Sequence, residues 1–289
     1  YLRFPLGRWA ARGADLFHVT HHLMHPPAGI RLTSFVHDPT PWVMREFHTA
    51  SNVRYFRSFV ENVLPRLADV LVPSEAVKKD LVEQLGVADQ RITVVPHGVE
   101  DHFFVPGEVE RRYILTLGAM EPRKNLPALL AAYGLLPEQL RRAYPLVVAG
   151  ASGWKNAELR AQAEATPGVR LLGYVEPERL PALYGAAAVF VFPSLYEGFG
   201  LPLLEAMAAA TPVVTSNISA MPEVAGDAAL TVDPRSPLEL AHAIERVLSD
   251  AELARQLAAA GRRRARQFRW EATAAATKTF FERAAGAHV

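Results

Sequence analysis

Two glutamates bracket the segment of this sequence best suited to chemistry. Glu197 and Glu205 are separated by seven residues that begin with Gly198-Phe199-Gly200-Leu201. The segment follows an apolar strand and opens a helix, whose first N–H groups and positive dipole end suit a phosphate. Glycine lets the backbone approach that anion closely. The carboxylates and the phosphate are all negative, so both carboxylates cannot be phosphate ligands. They are better suited to accept hydrogen bonds from sugar hydroxyls. A phosphate site between two such acids indicates a sugar nucleotide. The alternative is that Glu197 caps the helix and Glu205 is solvated.

A second polar group follows another strand and precedes another helix. It starts at Gly118 and ends in the string Glu121-Pro122-Arg123-Lys124-Asn125. Arginine offers a planar fork for phosphate oxygens and lysine a compact charge, so the adjacent Arg123 and Lys124 suit a pyrophosphate leaving group. The alternative is a solvated pair of surface cations. Their position at a strand end favours the functional interpretation.

Two further strand ends carry candidates for contact with a nucleotide. Gly150 lies in the turn Ala149-Gly150-Ala151-Ser152-Gly153, which could admit a nucleotide or be a plain turn. The turn does not match G-x-G-x-x-G, so the dinucleotide fingerprint is absent. Tyr174 and Val175 end the next strand and could offer a ring or backbone groups to a base. A buried core position is an equal alternative for Tyr174.

The histidines give weaker signals. His37 begins the string His37-Asp38-Pro39-Thr40-Pro41 at a strand end, where it could touch the transferred group or its acceptor, although most single histidines are structural. His97 is predicted to lie in a turn beside the linker between domains. His21, His22 and His25 have no nearby acids, so no metal site is predicted.

The composition of the chain limits its class. Half of the 289 residues are apolar and the net charge is +1, which gives no general attraction to nucleic acid. Without cysteine there are no disulfides, and cytoplasm is the simplest location. No apolar run approaches the roughly 20 residues that span a bilayer. The arginine-rich run Gly261–Arg269 is by default a solvated helix face. The alternative is a peripheral contact with the cytoplasmic face of an anionic membrane.

Short apolar strands alternate with amphipathic segments, as in parallel βαβ units. Four strands are predicted before residue 100 and six after it, with the boundary at an aperiodic linker. The predicted domains are residues 1–105, residues 106–269, and a helix at 270–289 that crosses back to the first domain. The predicted strands are Leu16–Thr20, Leu32–Val36, Val70–Val72, Ile92–Val95, Tyr113–Leu117, Leu146–Ala149, Val169–Leu172, Val189–Phe192, Val213–Thr215 and Ala229–Val232.

Together these motifs resemble those of the retaining glycosyltransferases of family 4, also called group 1. The resemblance rests on the E-x7-E spacing of Glu197 and Glu205, on Pro193-Ser194 before it and on Pro212-Val213-Val214 after it. Glu121–Asn125 and His37-Asp38-Pro39 resemble a branch rich in mannosyltransferases. The resemblance implies a GT-B fold of two Rossmann-like, doubly wound α/β domains facing a cleft, with the first, acceptor-side domain incomplete.

The resemblance also implies residue roles. Glu205 would hold the ribose hydroxyls of a nucleoside-diphosphate sugar, and Glu197 those of the transferred hexose. Arg123 and Lys124 would neutralise the departing diphosphate, and His37 would contact the sugar. Gly118, Gly150, Tyr174, Val175 and residues 198–201 would approach the donor. No cofactor is implied; GDP-mannose is the favoured donor, with UDP- or ADP-sugars as alternatives, and the acceptor is a glycan or a lipid-linked glycan.

Two departures from the family pattern keep alternatives open. Many relatives have arginine where this chain has Ala119, so Arg123 would substitute from four residues further on. The family's first strand and Gly-rich loop do not precede Tyr1, which leaves a nucleotide-sugar binding protein without catalysis as one alternative. A sugar-nucleotide epimerase of the same fold is another, but it would need further acid and base groups.

Overall fold

The computed structural model describes residues 11, 13–19, 26–104, 110–151 and 157–286. These residues form two compact units, of which the first comprises residues up to His97 and from Glu271 onward, and the second is Gly98–Trp270. The triplet His21, His22 and His25 lies outside the described residues, as do Ser152 and Gly153 of the Gly150 turn.

The first unit is built on a parallel sheet whose described strands follow chain order, β1-β2-β3-β4. Helix starts have a local cause: the Thr49 and Ser74 hydroxyls accept hydrogen bonds from Asn52 N and Val77 N. Buried aliphatic and aromatic side chains between sheet and helices form the core. The strands are β1 (Leu16–Val19), β2 (Arg31–Phe35), β3 (Asp69–Val72) and β4 (Ile92–Val94), and the helices are α1 (Thr40–Val43), α2 (Ala50–Asn62) and α3 (Glu75–Leu85).

Helix α2 was not among the predicted elements. It buries only Phe56 and Phe59, so its apolar stripe is narrow and the segment is mostly polar. The final helix of the chain, Trp270–Ala284, packs Phe280 against Leu71 and Val95 of this unit.

The second unit is a six-stranded parallel sheet with the order β10-β9-β8-β5-β6-β7. Read from the other edge, this is the doubly wound order 3-2-1-4-5-6. Successive strands are added in one direction from β5 to β7 and in the other from β8 to β10, so the order reverses between the parallel neighbours β5 and β8. Each predicted strand is present, with ends shifted by at most two residues. The strands are β5 (Tyr113–Leu117), β6 (Leu146–Ala149), β7 (Val169–Gly173), β8 (Ala187–Phe192), β9 (Val213–Ser216) and β10 (Leu230–Val232).

One continuous apolar core packs against this sheet through alternate strand residues such as Val189 and Val191. The central strand β8 is buried at all six positions, which is why its sequence is uniformly apolar. The helices are α4 (Leu126–Leu135), α5 (Glu138–Ala143), α6 (Ala157–Ala165), α7 (Leu180–Gly185), α8 (Leu201–Ala208), α9 (Met221–Ala225), α10 (Pro237–Ser249) and α11 (Ala251–Ala265). The chain then continues into α12 (Trp270–Ala284), which belongs to the first unit from Glu271 onward.

Gly98 packs against the backbone just before α12. A Cβ at this position would lie 2.3 Å from Trp270 N, a distance that requires the backbone to move. We expect Gly98→Ala to lower the free energy of unfolding by about 2–3 kcal/mol. Gly134→Ala is the control, because that Cβ would meet nothing within 4 Å. It should leave stability unchanged or raise it by up to ~1 kcal/mol. Urea unfolding measures both, and equal midpoints would contradict the packing argument.

Candidate active site

The loops after β5 and β8 meet because these strands are neighbours at the reversal point of the sheet. Ligands of open α/β sheets bind at this point, beyond the carboxyl ends of the strands. Arg123 and Lys124 lie in the loop after β5, and Glu197 lies in the loop after β8. Strand order therefore brings together residues that are more than 70 positions apart in the chain.

The Glu197 carboxylate is held between two cations. Its Oε1 lies 2.6 Å from Lys124 Nζ and its Oε2 lies 2.8 Å from Arg123 Nη1. Arg123 also donates through Nε to Glu121 Oε2 at 3.0 Å. Both glutamate side chains are only 9% exposed. We call Glu121, Arg123, Lys124 and Glu197 the ion cluster, in which two acids balance two bases.

Burial and charge compete in setting the pKa values of the two acids. Burial alone would raise the pKa of Glu197, but the charges of Lys124 and Arg123 outweigh it, and the pKa lies below its ordinary value. For Glu121 burial prevails over Arg123 and Lys124, so its pKa is raised. Glu197 is therefore the acid held more firmly in its charged form.

Direct hydrogen bonds join the loop after β5 to the loops after β8 and β10. Asn125 adopts a left-handed backbone with a φ of 58°, and its Nδ2 donates to Pro193 O at 3.1 Å and Pro234 O at 2.7 Å. Leu195 N donates to Arg123 O at 2.8 Å. Asparagine tolerates this backbone better than most residues. These hydrogen bonds fix the backbone of the loops that carry the ion cluster.

Gly150 is needed for close packing of neighbouring loops, and Gly118 adopts a backbone conformation that favours glycine. Both have positive φ values, 150° for Gly118 and 138° for Gly150, and a Cβ on Gly150 would lie 2.0 Å from Gly118 O. Packing alone thus accounts for glycine at position 150. Contact of either glycine with a donor stays a prediction.

Tyr174 follows β7 and is 64% exposed, so the alternative of a buried core tyrosine is wrong. Val175 beside it is half-buried. The exposed ring lies at the carboxyl edge of the sheet, where a planar base could stack on it. Its role in binding a base stays a prediction.

Helix α8 begins at the glycine-rich turn. Gly200 caps it with a φ of 108°, and a Cβ there would lie 2.5 Å from Met221 Cε. The Phe199 side chain is buried and meets Phe268 edge-on at 5.9 Å, so only its backbone is suited to a ligand. Helix α8 begins at Leu201, directly after Gly198, Phe199 and Gly200. Its N-terminus carries the partial positive charge of the helix dipole.

Glu205 has a different partner from Glu197. Its Oε2 accepts a hydrogen bond from Tyr184 Oη at 2.8 Å. Tyr184 is fully buried on α7, and burial raises the pKa of its phenol, as does the Glu205 charge. Burial also raises the pKa of Glu205, against the Tyr184 hydrogen bond and the charge of His102. The tyrosine fixes where this carboxylate points.

His37 belongs to the first unit and is exposed at the carboxyl edge of its sheet. Its ring stacks on Phe35 at 4.6 Å and lies 5.6 Å from the His97 ring. Partial burial lowers the pKa of His37, with Asp38 opposing, and lowers that of His97 to about 4. Both shifts favour the neutral imidazole. Contact between His37 and a sugar stays a prediction.

Three of the five arginines in the Gly261–Arg269 run contact other parts of the second unit. Arg262 donates to Phe104 O, Arg264 to Val224 O and Glu223 O, and Arg269 pairs with Asp101. Arg263 and Arg266 are exposed. The run is thus largely a structural feature, and membrane contact stays a prediction.

Tyr184, Asn125 and Glu121 were not assigned functional roles from the sequence. Glu121 and Asn125 lie inside the Glu121–Asn125 motif, whose acid and amide could have suggested partners for the cations. Tyr184 carries no such signal, because its contact with Glu205 depends on how α7 packs beside α8.

No group of three histidine or acidic side chains in the described part of the chain could hold a metal ion. Among the described helices, none combines the length and the hydropathy that a membrane-crossing segment requires.

The architecture and the site define a class of protein. The GT-B fold predicted from the sequence is confirmed by solved structures that match over most of the chain. Sucrose-phosphate synthase from Thermosynechococcus elongatus superposes with a TM-score of 0.78 at 23% identity, covering 98% of this chain and 77% of that one. HepE from Anabaena, solved with UDP and glucose, has a TM-score of 0.74 at 19% identity, covering 88% and 72%.

The family follows from the sequence comparisons. Residues 99–264 match the model described as glycosyl transferases group 1, and residues 1–103 match the model of Glycosyltransferase Family 4. The chain belongs to the group 1 glycosyl transferases. It is 35% identical over 256 residues to O-antigen chain mannosyltransferase B of Escherichia coli, covering 83% of this chain and 67% of the relative. It is 34% identical over 241 residues to MMP alpha-(1->4)-mannosyltransferase of Mycolicibacterium hassiacum, covering 80% of this chain and 59% of the relative.

Proposed function

We propose that this chain transfers a hexose from a nucleoside-diphosphate sugar to a glycan or lipid-linked acceptor, and that mannose is the favoured hexose. The observation that carries the proposal is the ion cluster at the reversal point of the six-stranded sheet. Mannose and the glycan acceptor come from the names of the two relatives. A nucleotide sugar as donor is supported by the UDP and glucose found with HepE.

In this proposal each part of the site meets one demand of the reaction. Breaking the bond between the anomeric carbon and the diphosphate oxygen leaves negative charge on the diphosphate, which Lys124 and Arg123 neutralise. The α8 N-terminus adds its partial positive charge. Glu197 accepts hydrogen bonds from the hexose, and Glu205 accepts them from the ribose. The scheme uses no metal, because N–H donors of Lys124, Arg123 and the helix N-terminus contact the diphosphate.

The ion cluster also favours one stereochemical route at the anomeric carbon of the transferred sugar. A double displacement would require a free carboxylate at the anomeric carbon, but both Glu197 oxygens contact cations at 2.6 and 2.8 Å. The lowered pKa of Glu197 marks a stabilised, weakly nucleophilic carboxylate. We therefore favour retention by a front-face route. The acceptor hydroxyl attacks on the side of the departing diphosphate, whose oxygen takes the proton.

Radiolabelled transfer tests the proposal. The full chain is incubated with GDP-mannose, UDP-glucose or ADP-glucose and a p-nitrophenyl α-mannoside acceptor, with and without EDTA. We expect an α-linked product, identified by NMR, from GDP-mannose in the presence of EDTA. Donor binding without a product would favour a binding protein, and conversion of the donor sugar to its epimer would favour an epimerase.

The Tyr184 contact gives a prediction for donor affinity. Tyr184→Phe keeps the buried ring but removes the hydroxyl that holds Glu205. Because a hydrogen bond to a charged group contributes about 1.5–3 kcal/mol, nucleotide affinity should fall roughly 10-fold. Isothermal titration calorimetry with the nucleoside diphosphate measures this loss of affinity. Tyr113→Phe, which removes a phenol hydrogen bond to Leu183 O, is the matched control and should leave affinity unchanged. Equal affinities in all three proteins would contradict the role of Tyr184.

A further inference from the structure

Ser219 holds an unusual backbone beside the ion cluster. It lies between β9 and α9 with a φ of 60°, and the other described residues with positive φ that are not glycine are Asn125 and Ala210. L-residues other than glycine avoid this region unless their surroundings require it. Strained residues of this kind often occur at functional sites.

The Ser219 hydroxyl makes two hydrogen bonds to one residue. It accepts from Glu197 N at 3.0 Å and donates to Glu197 O at 2.6 Å. Glu197 lies in the irregular loop between β8 and α8, where no sheet ladder binds its backbone. One hydroxyl therefore satisfies both polar backbone groups of the residue whose carboxylate meets Arg123 and Lys124.

This contact fixes the direction of the Glu197 side chain. The two hydrogen bonds orient the peptide groups on both sides of the Glu197 Cα, so they restrict where its Cβ points. The cations hold the carboxylate at the other end of the same side chain. A displacement of about 1 Å is enough to cost a reaction roughly 100-fold in rate.

We propose that Ser219 is a positioning residue that acts through Glu197 and sets the discrimination among donor sugars. This inference rests on the proposed role of Glu197 as the ligand of hexose hydroxyls. Ser219 itself touches neither donor nor acceptor in this proposal. Its loss should therefore change how the sugar is recognised and leave the affinity for the diphosphate alone.

Two substitutions separate positioning from stability. Ser219→Gly removes the hydroxyl and accepts the positive φ without strain, so its Tm should stay within a few degrees of the wild type. Ser219→Thr keeps the hydroxyl but places a β-branched residue at positive φ, so its Tm should fall. A purely structural role would make activity follow Tm in both variants.

The experiment measures kcat/KM with GDP-mannose and GDP-glucose, which differ at one hydroxyl configuration, and the affinity for GDP by titration. We expect Ser219→Gly to lose about 10-fold or more in kcat/KM for the preferred sugar and most of the preference, with unchanged GDP affinity. Ser219→Thr should keep the preference. Thr215→Val, which removes a buried hydroxyl bond to Phe192 O on the neighbouring strand, is the control and should keep it too.

The outcomes are distinguishable. The role of Ser219 would be overturned if Ser219→Gly kept the wild-type kcat/KM and sugar preference while Glu197→Gln lost transfer activity. That result would leave the proposed function standing. An undamaged Glu197→Gln variant would overturn the proposed role of Glu197 itself. If no donor is transferred, the affinity for GDP-mannose is measured relative to that for GDP. A ratio in Ser219→Gly equal to that of the wild type would overturn the inference. A lower ratio in Ser219→Gly would support it.

Discussion

Replacing Glu197 with glutamine should lower kcat/KM for transfer about 100-fold, or about 2.7 kcal/mol of transition-state stabilisation. Glutamine has nearly the same shape but lacks the charge that Lys124 and Arg123 contact at 2.6 and 2.8 Å. Its amide accepts weaker hydrogen bonds from hydroxyl groups than a carboxylate does. Initial rates with radiolabelled donor measure the loss.

The same variant should bind the free nucleoside diphosphate at least as tightly as the wild type. Removing the negative charge of Glu197 leaves Lys124 and Arg123 with more positive potential for the phosphates. Titration with the diphosphate alone tests this expectation. A parallel loss of transfer and diphosphate affinity would indicate a collapsed site instead of a lost sugar contact.

Glu121→Gln is the matched control. The Glu121 side chain is as buried as that of Glu197 and contacts Arg123, but Lys124 has its hydrogen bond to Glu197. We expect less than about a 10-fold loss of kcat/KM, because only the orientation of Arg123 is affected. An equal loss in both variants would mean that the acids act only by holding Arg123.

The pKa of Glu197 also predicts how stability depends on pH. Its folded-state pKa is lowered, so the ionised carboxylate stabilises the fold above the ordinary value of 4.5. This contribution is lost as pH falls from there through the lowered pKa. Removing one partner of a buried ion pair costs about 3–5 kcal/mol at neutral pH. Urea unfolding should therefore show Glu197→Gln and wild type converging below pH 4.5.

Replacing Lys124 with methionine should lower kcat about 100- to 1000-fold, the range for losing one group that stabilises developing charge. Lys124 Nζ lies 4.9 Å from the centre of the Phe192 ring, and methionine keeps much of the apolar stem there. An ammonium has three donors, and Glu197 receives one of them. The others suit the departing diphosphate. Single-turnover transfer measures the effect.

Arg123→Met should reduce the rate less and the stability more than Lys124→Met. Arg123 binds Glu121, Glu197 and Tyr196 O, so its guanidinium serves mainly to join the two loops. Stability is compared by thermal unfolding and rate by the same transfer assay. A larger rate loss for Arg123→Met at equal stability would reverse the two roles and make Arg123 the main phosphate ligand.

Local sequence patterns predicted much of the second unit. Its six strands follow from apolar runs that end in turn residues, because parallel strands are buried on both faces. In the first unit, the start of α3 has a local cause that the sequence contains, because the Ser74 hydroxyl caps Val77 N. Helix α2 was missed, since its buried face consists of two phenylalanines in a polar segment.

Strand order decided what the motifs do together. The sequence marked Arg123, Lys124 and Glu197 as separate signals, but only the adjacency of β5 and β8 makes them one ion cluster. Likewise, the spacing of Glu197 and Glu205 indicated a pair, whereas the structure gives them different partners, the cations and Tyr184.

The sequence by itself determined the alternation of strands and helices, the glycine-rich turn before α8 and the types of charged group at the sheet edge. These depend on neighbouring residues, whose backbone preferences and apolar periodicity act locally. Only the tertiary structure decided that Glu197 is clamped by Ser219, 22 positions away, and by Lys124, 73 positions away. Such contacts depend on which strands become neighbours, and that is settled by packing of the whole sheet.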